Sequence, residues 1–159
     1  MKGLKKKICK VLSVVLSVMI TVSAFSGFAT TSVSAATVAD QSGSYVYTEL
    51  EDGTIEITSC TLNGEVNIPS YIDGKKVSSI GGYAFGGEGI GSVSIPETVA
   101  TIQDKAFYNC DDLKEVNFSE GLKYIGKNAF YGCPIAELTF PETLEEIADY
   151  AFESNYVID

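Results

Sequence analysis

Histidine and arginine are both missing from this chain of 159 residues. Without histidine there is no imidazole to act as a general base or to complete a metal site. Without arginine, and with 11 lysines against 21 acidic residues, there is no basic footprint for nucleic acid. Four cysteines are present, but no cluster of further ligands makes a metal site of them. No serine-centred nucleophile motif and no phosphate-binding glycine loop occurs; Gly81-Gly82 and Gly86-Gly87 serve turns. Nor are there long inserted loops to wall a pocket around a carboxylate pair. These absences predict a protein that is not an enzyme and takes no cofactor or metal.

The front of the chain differs from the rest. Met1–Lys10 carries five lysines, Val11–Phe25 is an apolar run, and small residues lead to Val33-Ser34-Ala35-Ala36. That order is that of a secretory signal peptide, residues 1–35, cleaved after Ala35 or Ala36. An uncleaved anchor is the alternative, but the run is near the lower limit for a bilayer span and is diluted by serine and threonine. Cys9 precedes the apolar run, which is the wrong place for a lipid acceptor. Beyond the signal, 6 lysines face all 21 acids, a formal charge of −15. Anionic membrane surfaces repel such a chain, and solubility is the plain use of its charge. The expected location is secreted or cell-surface, with no membrane insertion after cleavage.

The remainder of the chain has a period. Residues 36–44 are small and polar, a flexible leader. Residues 45–78 read as an N-terminal cap with an irregular first coil. In it YVYTEL and TIEIT flank Glu51-Asp52-Gly53, a hairpin signal, and Asp73-Gly74 marks a second turn. Residues 79–159 repeat, the last copy being incomplete. Ala-Phe recurs at Ala84, Ala106, Ala129 and Ala151, at spacings of 22, 23 and 22. A short period kept this well means coils stacked into a solenoid. Ile80, Ile102, Ile125 and Ile147 form one apolar column, and the Ala-Phe pairs form another. Val93/Ile95, Val116/Phe118 and Leu138/Phe140 are each two apart and share one face of a short strand. Pro96 and Pro141 lack an N–H and end their strands; Ser119 stands there in the second repeat. Ile102 and Ala106 are four apart, which predicts a helical turn around Ala-Phe. Val66-Asn67-Ile68-Pro69 echoes Val93-Ser94-Ile95-Pro96.

The pattern I-x-x-x-A-F-x-x-C-x-x-L-x-x-L-x-L-P-E-x-[VL], covering Val77 to Asp159, resembles the BspA-type leucine-rich repeat of bacterial surface proteins. Two positions depart from it: Glu88 and Asn155 stand where the cysteine belongs. The resemblance implies a secreted or surface-attached bacterial protein, in several cases one linked to adhesion. The expected fold is an α/β solenoid. It is a right-handed leucine-rich-repeat coil with one short parallel sheet, short helical turns and a hairpin-like N-terminal cap.

Stacking the repeats nominates sites. Cys110 and Cys133 are repeat equivalents. Strand spacing of about 4.8 Å would admit a disulfide, but buried free thiols packing as small apolar residues are the expectation. Cys60 has no evident partner. Glu97, Glu120 and Glu142 share the position after the strand, and Glu115 and Glu137 the position before it. The spacing fits no calcium loop, so they read as a solvated rim. Tyr83, Tyr108, Tyr124, Tyr131 and Tyr150 cluster around the Ala-Phe turns, where rings either cover the apolar edge or anchor a partner. The candidate contact face is Ser94, Asn117 and Thr139 at mid-strand, with the five glutamates as its rim. The function expected is a monomeric binding module for an extracellular protein or glycan. The alternative is a targeting or spacer fragment of a larger secreted enzyme or surface protein.

Overall fold

The computed structural model describes residues 37–155. The signal-peptide reading and the last four residues lie outside them. The chain opens on an antiparallel meander of β1 (Thr37–Ala39), β2 (Tyr45–Glu49) and β3 (Ile55–Cys60). The predicted hairpin joins β2 to β3: the Leu50 N–H donates to the Thr54 carbonyl at 2.8 Å, and Gly53 takes the left-handed φ of 80°. Thr37–Ala39 were expected in a flexible leader. They form β1 instead, because the outer edge of β2 offers unpaired N–H and C=O groups to any extended neighbour.

After β4 (Gly64–Asn67), β5 (Tyr71–Ile72) turns through Asp73-Gly74 into β6 (Lys75–Ile80). The regular coils contribute β7 (Ile90–Ile95), β8 (Thr101–Ile102), β9 (Glu115–Phe118), β10 (Tyr124–Ile125) and β11 (Glu146–Ile147). Two sheets result, where one was expected. The first runs β1-β2-β3-β6-β8-β10-β11 with β5 on β6, and the second runs β4-β7-β9. The isoleucine column explains the first: Ile80, Ile102, Ile125 and Ile147 sit opposite one another in parallel register.

The expected helical turns do not form; no helix occurs among the described residues. Each Ala-Phe segment is a turn between two left-handed residues four apart. Tyr83, Lys105, Asn128 and Tyr150 come before it, with φ of 56–61°, and Gly87, Asn109, Gly132 and Ser154 after it, with φ of 55–72°. A right-handed helix cannot pass through such residues. The backbone donors show where the bonds went instead. The N–H of Phe85, Phe107 and Phe130 cross to the carbonyls of Ala106, Ala129 and Ala151 in the next coil, at 2.9, 2.7 and 2.8 Å. The alanine N–H groups stay in their own coil: Ala106 donates to Gln103 at 3.3 Å. Alternate donors therefore close the turn and join it to its neighbour.

This arrangement positions the core. Phe85, Phe107 and Phe130 are fully buried, with ring centroids 4.8 Å apart along the stack and Phe152 following at 5.2 Å. Glycine is required where coils touch. A Cβ on buried Gly126 would stand 2.5 Å from the Asp104 backbone nitrogen. The cysteine column lies beside the rings. The Cys110 thiol donates to the Phe85 carbonyl and the Cys133 thiol to the Phe107 carbonyl, both at 3.0 Å. Cys60, Cys110 and Cys133 are free and buried.

Candidate functional site

Alternation along the three-stranded sheet sets its outer face. Val66, Val93 and Val116 point into the core. Their neighbours point out and line up by register: Glu65, Ser92 and Glu115 in one column, Asn67, Ser94 and Asn117 in the next. Glu137 extends the first column by a single bridge to Glu115. The Asn117 amide donates to the Glu115 carboxylate at 2.9 Å, and Asn67 repeats the contact with Glu65 at 3.4 Å. Each amide thereby steadies the acid before it.

The third coil departs from this order. Thr139 was expected at mid-strand; it is exposed and lies outside any strand. The position that follows the mid-strand residue changes as well. Ile95 of the first coil is replaced by Phe118 and Phe140, whose rings stack at 5.7 Å and meet Phe130 and Phe152 edge-on at 5.8 and 5.6 Å. Phe118 still pairs with Ile95, whereas Phe140 is left partly in solvent. Pairing lapses after the Glu115–Glu137 bridge, and a groove of about 590 Å³ opens between residues 114–120 and 136–141.

Of the predicted contact residues, Glu115, Asn117, Glu120, Glu137 and Thr139 line this groove. Ser94 sits one strand away, beside Asn117. Glu97 and Glu142 do not line it. The Glu142 N–H donates to the Glu120 carboxylate at 3.3 Å. Glu97 lies under Gly121, where a Cβ would meet the Glu97 carbonyl at 2.2 Å. Lys114, Phe118, Phe140 and Pro141 complete the lining with Val116 and Ala136, and none was foreseen as a contact. Phe140 is 39% exposed, a large apolar surface on a face otherwise polar. Glu65, Asn67 and Ser92 were also missed. The likeness of Val66-Asn67-Ile68-Pro69 to the later strand ends already pointed to the first two.

The tyrosines occupy a different edge. Tyr108 and Tyr131 stack at 5.1 Å, and Tyr83 meets Tyr108 edge-on at 5.9 Å. The Lys105 ammonium sits 5.5 Å over Tyr83, and Lys127 sits 5.7 Å over Tyr150. Tyr124 belongs to β10 and stays apart from this strip. These rings cover the turn edge, with Tyr83 and Tyr150 still more than half exposed.

Two of the buried thiols, Cys110 and Cys60, are held in the protonated form. The neighbouring Cys133 sulfur, and burial after it, push the Cys110 thiol well above its ordinary value. Burial does the same to Cys60. A thiol held protonated is a poor nucleophile. Among the described residues no three His, Cys, Asp or Glu side chains gather as a metal site. Nor is any helix there long and apolar enough to cross a membrane.

A family model for the BspA type leucine rich repeat region matches residues 40–158, in six copies. The chain belongs to that family. The match begins at residue 40, so it takes in the segment read from sequence as cap and irregular coil. Solved leucine-rich repeat proteins share the coil. One from Bacteroides capillosus is 32% identical over 70% of this chain and 87% of its own, with a TM-score of 0.64. A leucine rich cell surface protein from Faecalibacterium prausnitzii is 36% identical over 60% of this chain, with a TM-score of 0.54. A leucine-rich repeat protein from Bacteroides ovatus is 33% identical over 66%, with a TM-score of 0.59. This chain spans 28% and 30% of those last two. No curated protein matches it.

Proposed function

We propose that this BspA-type array is a non-enzymatic binding module, carried outside the cell or on its surface, that holds a protein partner on its strand face in adhesion or surface interaction. The observation that carries the reading is the groove. It opens on five of the eight residues that repeat stacking nominates for contact, and it adds an exposed aromatic ring to them. Interfaces favour such a mixture of an apolar centre and a polar rim. The cell-surface relative supports the location.

The test is a binding screen of the whole chain against extracellular proteins, repeated with Asn117→Ala and Glu120→Lys. A reproducible partner whose binding falls with either variant supports the reading. A partner indifferent to both, or no partner at all, counts against it. No partner would favour a second reading, in which the array is a spacer or targeting segment of a larger surface protein. That reading draws on two relatives of which this chain spans under a third.

A further inference from the structure

Resting on the strand-face reading, we propose that the partner enters the groove as an extended, basic segment in which lysine or arginine alternates with an apolar side chain. Three features of the groove select that chemistry. The first is charge. Its lining has Glu115, Glu120 and Glu137 against the single cation Lys114. An anionic segment is repelled there, and a basic one is attracted from a distance. The acids also have few cations of their own nearby. The two ion pairs among the described residues, Lys75–Glu49 and Lys123–Glu145, involve none of the three.

The second feature is geometry. Glu115 and Glu137 are bridge partners across adjacent coils, and both side chains are exposed. One ammonium or guanidinium group between them can donate to both. Asn117 already holds Glu115 with its amide N–H, which fixes one carboxylate oxygen and leaves the amide carbonyl to accept from a partner donor.

The third is the floor. Phe140 shows 39% of its surface and stacks on Phe118, one residue along from Thr139. An aromatic face beside acids suits a side chain that is apolar in its stem and cationic at its tip. The opening follows a strand whose neighbour has peeled away. A chain in extended conformation fits such a slot, presenting alternate side chains to the acids and to the ring.

The probe is a pair of short capped peptides, alternating Lys-Phe and alternating Glu-Phe, titrated into the whole chain. Binding is read by calorimetry at low and high salt. Glu115→Gln/Glu137→Gln and Phe140→Ser test the two halves of the site, and Glu153→Gln serves as an acidic control outside it. The inference expects the Lys-Phe peptide alone to bind. It expects binding about five- to tenfold weaker in the double variant, weaker again at high salt, and unchanged in Glu153→Gln. Equal binding of both peptides, or indifference to the double variant, overturns it. So does occupation of the groove by a second copy of the chain, seen as dimerisation lost with Phe140→Ser. The partner screen separates this failure from that of the parent reading. A partner lost with Asn117→Ala but insensitive to salt and to the double variant keeps the strand face and removes the basic segment. A partner insensitive to both Asn117→Ala and Glu120→Lys removes both.

Discussion

The turn side and the strand side of the same coils behave differently. On the turn side four phenylalanines stack at 4.8, 4.8 and 5.2 Å, and backbone bonds cross every gap from Phe85 to Ala151. On the strand side, full pairing reaches only from β4 through β7 to β9, and the next coil adds one bridge. The turn side repeats Ala-Phe at spacings of 22, 23 and 22, and the same crossing bond recurs from coil to coil. The strand side swaps Ile95 for Phe118, which still pairs with Ile95, and then for Phe140, by which point the ladder has parted. Regular repetition seals one side of the solenoid, and a break in repetition opens the other.

The strongest way to break this contrast is to cut the turn side. Phe107→Ala should cost about 3–5 kcal/mol, the range for emptying a filled aromatic site. Phe140→Ala should cost much less, because that ring is partly in water. Urea unfolding of the two variants measures the difference, and near-equal losses would contradict the asymmetry. A smaller break uses the close approach of coils. Gly126→Ala forces a Cβ into the Asp104 backbone, and about 1–3 kcal/mol is expected for such overpacking. A melting temperature equal to the parent's would show that the coils can separate there at no cost.

The N-terminal meander sharpens the comparison through pH. Burial, then the nearby Cys60 and Asp40, push Tyr45 up from 10 to about 12. The folded state thus holds the phenol proton more tightly than the unfolded state does. Its contribution is complete below pH 10 and is lost as pH rises toward about 12. Stability measured across that window should fall less steeply in Tyr45→Phe than in the parent.

The Ala-Phe spacing was enough to read coils, columns and core, because burial repeats with the backbone. Ile102 and Ala106 misled for a definite reason. A spacing of four fits a helix, but Lys105 and Asn109 take left-handed φ of 61° and 55°, and the lysine does not announce it. Asn128 and Gly132, one coil on, were the better hint. Asn117 and Glu115 could be placed on the strand face by alternation alone. The groove beside them could not, because it depends on where the pairing between two coils lapses and how far they then separate. No pattern of residue types encodes that distance.

The buried cysteines also mark positions along the stack. Cys60 lies in the meander, Cys110 in one coil and Cys133 in the next, each sealed from solvent. A thiol reagent can reach a sulfur only when its own part of the stack opens. Three natural gauges are thus set along the axis of the molecule. The order in which they react would give the sequence in which the solenoid comes apart.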